Sequence, residues 1–256
     1  MNLLQLELRK LLPYKAFWVI LALYTALLLI IFGSGRNITI NGSTMGAQLY
    51  NLPAVWQNVT YLASYFNLLL GILIIVLVTD EYSFRTIRQQ VIDGLSRMQL
   101  VLAKAHVILM LAVICTLLVG ATGLFFGMSL GEKTTGSTLD KTSYLAGYFV
   151  QAVAYMSLAL LVAILVKRSG IAIIAFLLYG NVVEPLIRSR VSDNIDKFFP
   201  MKSLSALTPM PGGEFLSQAT GISNETLSIE TALVLGIFYA VLFLGLSYLA
   251  LKLRDL

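Results

Sequence analysis

Charge, cysteine and histidine are all scarce in this sequence. Only 12% of its 256 residues are Asp, Glu, Lys or Arg, and it holds one cysteine and one histidine. A water-soluble domain is about 25% charged, so too few ionic groups are present to cover a solvated surface. A soluble globular enzyme, a disordered chain and a nucleic-acid-binding protein are excluded on that ground. Cys115 has no partner for an intramolecular disulfide, so no oxidising compartment is indicated. It reads as a small packing residue within an apolar run. His106 and Cys115 cannot between them supply a zinc site or a histidine-based triad, and His106 reads as an interfacial polar residue. A phosphate-binding loop needs Gly-x-x-x-x-Gly-Lys-Ser/Thr. The nearest string, Gly131-Glu132-Lys133-Thr134, lacks the Gly-Lys pair and any preceding strand. The chain is therefore expected to be no enzyme and to hold no metal or cofactor.

What the sequence has instead is apolar surface, 58% of all residues, gathered in long runs. A bilayer core takes roughly 20 apolar residues per helix. Six runs approach that length, at about 14–32, 59–79, 105–128, 143–166, 171–187 and 229–251. The fold class that follows is all-α, a polytopic membrane protein with six transmembrane helices in a single domain over 1–256. A β-barrel would need short alternating strands. The first run is expected to be a retained span: Glu7, Arg9, Lys10 and Lys15 precede it, it is long for a signal peptide, and no Ala-x-Ala site follows.

Six spans put both termini on one side. If that side is the cytoplasm, the inside segments hold 11 basic residues and a net charge of +6, against 7 and −1 outside. This is the positive-inside bias, and it accounts for the overall +5 without a nucleic-acid partner. Four Asn-x-Ser/Thr sequons (Asn37, Asn41, Asn58, Asn224) then fall outside, where chance explains them in a bacterial protein. The inside connections are 80–104 and the turn Lys167-Arg168-Ser169-Gly170; the outside ones are about 33–58, 129–142 and 188–228. The first and fourth connections differ greatly in length, which argues against an inverted repeat. Within 188–228, Phe198, Phe199, Leu204, Leu207, Met210 and Phe215 alternate with Pro200, Pro209, Pro211, Gly212 and Gly213. That is too apolar for a solvated loop. Short helices that dip partly back into the membrane or cap a pathway are expected.

Two segments outside the spans carry pattern. In residues 1–13, Leu4, Leu8, Leu11 and Leu12 share one helical face, with Gln5, Arg9 and Lys10 elsewhere, which predicts an amphipathic interfacial helix that Pro13 breaks. In 80–104, Thr79 or Asp80 can cap a new helix, Glu81 and Arg85 stand at i, i+4, and Phe84, Ile87 and Val91 share a face. Asp93-Gly94 is a turn signal, and Ser96 with Gln99 forms a capping box for the next helix. The exposed stripe suits a partner surface, or simply the bilayer.

This arrangement resembles the permease subunits of type-2 ABC exporters. The resemblance rests on the amphipathic leader, the six spans, and an acidic-aromatic start running into Arg85-Thr86-Ile87-Arg88-Gln89 and then Gly94-Leu95-Ser96-Arg97 with Lys104 following. Many members have a proline just before the Ser-Arg pair, where this chain has Gly94-Leu95. The resemblance implies that 80–104 contacts a separate ATPase subunit, with Glu81, Arg85, Arg88, Gly94, Ser96 and Arg97 in that contact; the apolar Phe84, Ile87 and Val91 would anchor it. It further implies that ATP and Mg are bound by that partner, that a second permease copy, identical or sister, completes the pathway, and that cargo moves outward across a bacterial inner membrane.

A few polar groups lie inside the runs. Thr60, Ser64, Asn67 and Gly71 form one stripe on span two, suited to helix packing or to lining a path. Tyr144, Tyr148, Gln151 and Tyr155 share one face of span four; Tyr144 and Tyr148 suit the outer aromatic belt, and the deeper Gln151 and Tyr155 suit packing or a cavity. Gly123 and Gly127 form a GxxxG on span three. Glu184, next to Pro185 and within a turn of Arg188, is either a functional intramembrane acid or half of a pair at the helix exit. Candidate pathway residues are thus Asn67, Gln151, Tyr155 and Glu184. The leading expectation is an exporter permease; the alternative is a membrane scaffold that transports nothing. An ion-coupled carrier would need more intramembrane ionisable groups.

Overall fold

Long apolar runs with few glycine or proline breaks cannot leave backbone N–H and C=O groups unpaired in lipid, and helices are the local solution. A computed structural model of the chain describes residues 3–35, 39–40, 43–44, 49–131, 140–212 and 227–253. The expected features at Asn37, Asn41, Asn224, Gly213, Phe215 and most of Gly131–Thr134 lie outside the described residues.

The helices, in order, are α1 (Leu3–Leu11), α2 (Lys15–Ser34), α3 (Val55–Ser83), α4 (Thr86–Ile92), α5 (Arg97–Leu130), α6 (Ser143–Val166), α7 (Ser169–Leu178), α8 (Glu184–Arg188), α9 (Asp193–Asp196), α10 (Pro200–Ser205) and α11 (Ile229–Leu253). A π-helical stretch, Tyr179–Val183, joins α7 to α8. Strands Thr39–Ile40 (β1) and Ser43–Thr44 (β2) pair antiparallel, with Thr39 opposite Thr44. Six helices are long and apolar enough to cross a membrane: α2, α3, α5, α6, the continuous α7–α8 and α11. They coincide with the six expected runs.

Two of them exceed their runs. At 1.5 Å per residue, α3 is about 43 Å long and α5 about 51 Å, against a hydrocarbon core of about 30 Å. Both are longer than that layer is thick, and α4 bridges their ends. The expected cap at Thr79 is absent. The Thr79 hydroxyl donates to the Ile75 carbonyl at 2.7 Å, one turn back, so α3 continues to Ser83 before breaking at Phe84 and Arg85. Arg85 has φ 57°, a left-handed conformation uncommon for a bulky side chain. The expected four-residue turn after span four is two residues, because Lys167 adopts φ 61° as the C-cap of α6 and α7 begins at Ser169. The π stretch sits where Pro185 withholds an N–H from the carbonyl of Asn181.

The centre of the bundle is α6, packed against α3, α5 and α11. Of its apolar window 61% is buried, against 17% for α7–α8, so the fifth span is peripheral. Small residues set these approaches. A side chain at Gly71 would lie 2.6 Å from the Phe176 ring, and one at Gly147 would lie 2.7 Å from the Leu207 carbonyl. The GxxxG pair of α5 faces Trp56 and Val59 at Gly123, and Leu52 and Val55 at Gly127. The hydroxyls of Tyr24 on α2 and Tyr148 on α6 meet at 2.6 Å, both side chains fully buried.

Candidate functional site

At the end of the bundle that carries α4, a buried ionic cluster joins three helices. Lys104 on α5 reaches Glu7 on α1 and Glu81 on α3, each at 2.7 Å; Lys10 reaches the same two acids at 3.2 and 3.1 Å. Glu7 is 4% exposed, so α1 turns an acid as well as Leu11 into the bundle. The expected leucine stripe is split: Leu11 is buried, Leu12 is exposed, and Leu4 lies outside the described side chains. Burial pushes the Glu7 carboxyl up, but Lys104 and Lys10 more than reverse this and hold it below its ordinary value. Tyr14 hydrogen-bonds to the Asp80 carboxylate, and burial with that acceptor pushes its phenol up to about 12. The Lys167 ammonium lies 5.3 Å from the centre of the Tyr82 ring, and Arg97 donates to the Lys252 carbonyl at 2.6 Å. Two cavities of about 30 and 20 Å³ flank the Glu81–Lys104 pair.

These contacts redistribute the expected coupling residues. Glu81 is not paired with Arg85; it points into the bundle toward Lys104 and Lys10. Ile87 and Val91 do not share an outward face with Phe84. Ile87 is 6% exposed and sits beside Leu100, Val101, Ile164 and Leu251, whereas Phe84 is 77% and Ile92 70% exposed. The cause is the break at Arg85: its left-handed turn rotates α4 relative to α3, so a face drawn through one continuous helix does not survive. Arg85, Arg88, Gly94 and Ser96 are exposed, and Arg97 is half-buried against α11. Gly94 has φ 96° in the turn between α4 and α5, and nothing crowds it. The Ser96 capping box forms in full: the Ser96 hydroxyl accepts from the Gln99 N–H at 3.2 Å, and the Gln99 side chain accepts from the Ser96 N–H at 2.8 Å.

At the opposite end, Phe198–Thr208 folds back over the bundle as a cap. Met201, Ser203, Leu204, Ala206, Leu207 and Thr208 are buried. Side chains from four of the spans hold it. Glu184 accepts from the Met201 and Lys202 N–H groups at 3.0 and 3.1 Å, which closes the N-terminus of α10. Its expected pairing with Arg188 gives way to this; the Arg188 side chain instead lies 3.8 Å from Asp196. Gln151 donates to the Leu204 carbonyl at 3.1 Å and accepts from Thr208 at 3.2 Å and from Asn67 at 3.3 Å. Tyr239 donates to the Phe198 carbonyl, and Gln57 to the Pro209 carbonyl at 3.4 Å.

Asn67, Gln151 and Glu184 are therefore buried and occupied within this chain, at 0, 2 and 1% exposure; Tyr155 is half-buried. A polar pair that faces outward went unremarked in the sequence: Tyr61 and Tyr65, with hydroxyls 2.6 Å apart and Tyr65 62% exposed. Two tyrosines at i, i+4 in an apolar span were the available signal. Asn181, in the π stretch, is also exposed and donates to the Leu177 carbonyl at 3.0 Å.

Comparison with curated proteins gives no match. Residues 3–183 match the family described as ABC-2 family transporter protein. That stretch is well over half of the chain and takes in α1, the α4 turn and the first five spans up to the π stretch, so this multi-pass membrane protein belongs to the ABC-2 transporter family as a permease.

Proposed function

We propose that the chain is the transmembrane subunit of an ATP-driven exporter, holding half of the pathway and taking its energy from a separate ATPase docked at α4. The α4 end faces the cytoplasm of a bacterium, with both termini beside it, in agreement with the charge count of the connections. ATP and Mg belong to the partner, and the chain itself carries no cofactor.

The observation that carries this reading is the build of the α4 end. Phe84 and Ile92 stand exposed with Arg85 and Arg88, on a turn mounted between the two longest helices, α3 and α5. Behind that turn, the Lys104 cluster and Ile87 fix it to the bundle. A push on α4 is thereby delivered to α3 and α5 as rigid levers. Aromatic and aliphatic side chains with a basic rim fit a protein contact whose energy is concentrated in a few anchors.

The pathway runs between two permease copies. Tyr61, Tyr65 and Asn181 line it, since they are the polar groups that spans two and five turn outward. From the close contact of Gly71 with Phe176 on antiparallel helices, Tyr65 and Asn181 lie at similar depth. ATP-driven closure of the partner shifts the spans between two packings.

The test is gentle detergent extraction of the chain followed by an assay of ATP hydrolysis in the purified material. Hydrolysis should co-purify with the native chain and be lost with Phe84→Asp, while the variant reaches the membrane at normal levels. Equal hydrolysis from Phe84→Asp, or none from the native chain, overturns the reading.

A further inference from the structure

The cluster at the α4 end balances in charge, two acids against two amines, but not in hydrogen bonds. Glu81 Oε1 accepts from both Lys10 and Lys104, whereas Glu81 Oε2 is buried and accepts from none of the described residues. The Lys104 ammonium has three N–H groups. It donates one to Glu7 and one to Glu81, each at 2.7 Å, and its side chain is only 13% exposed. A donor and an acceptor are thus left over on neighbouring charged groups, where an unmade bond costs most. Protonating Glu81 does not settle the count, because an O–H at Oε2 would need an acceptor of its own and an ammonium offers none. What joins the two is a small group that both accepts and donates.

There is room for one. The cavity of about 30 Å³ is lined by all four charged side chains of the cluster, with Ile74 and Val107 among its apolar walls. A buried water needs about 10–15 Å³ and typically makes about three hydrogen bonds. The cavity of about 20 Å³ shares Glu81 and Lys104 but is otherwise walled by Tyr82 and by apolar side chains such as Leu100. We propose that the larger cavity is a hydration site, in which an ordered water accepts from Lys104 Nζ and donates to Glu81 Oε2. The Glu7 carboxylate in the same wall offers an acceptor for its second hydrogen. A cation is not the occupant, since the four charges already sum to zero. Water completes the bonding of the cluster, so its charges stay ionised inside the bundle with no polar atom stranded. Lys104 then ties α1, α3 and α5 together through three directed bonds, one of them by way of the water. The smaller cavity stays dry.

The site stands whether or not an ATPase docks at α4, and its test is made on the full-length chain alone, in its native membrane. Hydroxyl-radical footprinting by X-ray radiolysis generates radicals from a held water beside the side chains that line its cavity, even where bulk solvent does not reach them. Ile74 and Leu100 are 2% and 5% exposed, and each lines only one of the two cavities. Ile74 should be oxidised several-fold faster than Leu100. Val107→Ile adds a methylene to the wall of the larger cavity, carries no charge change and displaces the water; Ile74 oxidation should then fall to the Leu100 rate. Equal oxidation of Ile74 and Leu100 in the native chain, or faster oxidation of Leu100, overturns the site. So does Ile74 oxidation that Val107→Ile leaves unchanged, because the radicals would then come from bulk solvent.

Discussion

The two ends of the bundle are fastened by different chemistry. At the α4 end, charges on regular helices meet charges on other regular helices: Lys104 with Glu7 and Glu81, Lys10 with the same pair. At the α10 end, neutral amides and one carboxylate from the spans take up the backbone groups of an irregular segment. An ionic cluster of this kind tolerates no partial release, since freeing one member strands a buried charge. Charge meeting charge ties the α4 end into one block, while at the α10 end buried polar side chains satisfy the backbone of an irregular segment.

The largest expected effect tests the block. Lys104→Met leaves Glu7 and Glu81 only the more exposed Lys10 as counter-charge and should destabilise the folded protein by about 3–5 kcal/mol, measured as lost resistance to thermal unfolding in detergent. If the ends are separate, thiol labelling of Ser203→Cys at the α10 end should stay at its native rate in this variant. Ile87→Ala comes next, at about 2–5 kcal/mol, because it empties a buried position beside Leu100 and Leu251. The same placement means that Ile87→Asp puts a charge in the chain's own core, so it cannot serve as a clean probe of docking. Phe84→Asp should leave thermal stability within about 0.5 kcal/mol while weakening partner binding by about 2 kcal/mol or more.

Two smaller effects sharpen the picture. Glu7 has its folded pKa held below the ordinary carboxylate value. Its stabilisation is thus complete above about pH 4.5 and lost as pH falls through the folded value. Acid unfolding of Glu7→Gln should show a weaker pH dependence in that window than the native chain. Ser96→Ala removes the capping box and should cost about 1 kcal/mol, seen as a slightly lower melting temperature.

How much of this was legible follows from how far each signal reaches along the chain. The spans, the Asp93-Gly94 turn and the Ser96–Gln99 box were readable because their causes lie within a few residues. The ionic cluster was not: Glu7 and Lys104 are 97 positions apart, and nothing local distinguishes them from solvated charges. Gln151 and Glu184 were visible as polar groups in apolar runs, yet their partners, Leu204, Thr208, Met201 and Lys202, belong to a segment with no period of its own. The face through Phe84, Ile87 and Val91 failed for a backbone reason. It assumed one helix from Asp80 to Val91, and Arg85 breaks that helix in a left-handed conformation that no residue type there announces.

If energy enters this permease at α4, an ATP-binding partner must touch Phe84. A photo-crosslinking amino acid at Phe84, with the same group at Tyr65 as the control, measures it in intact membranes. Phe84 should capture a subunit that binds ATP, and Tyr65 should not. Capture of lipid alone at Phe84, or of a protein without nucleotide binding, would contradict it.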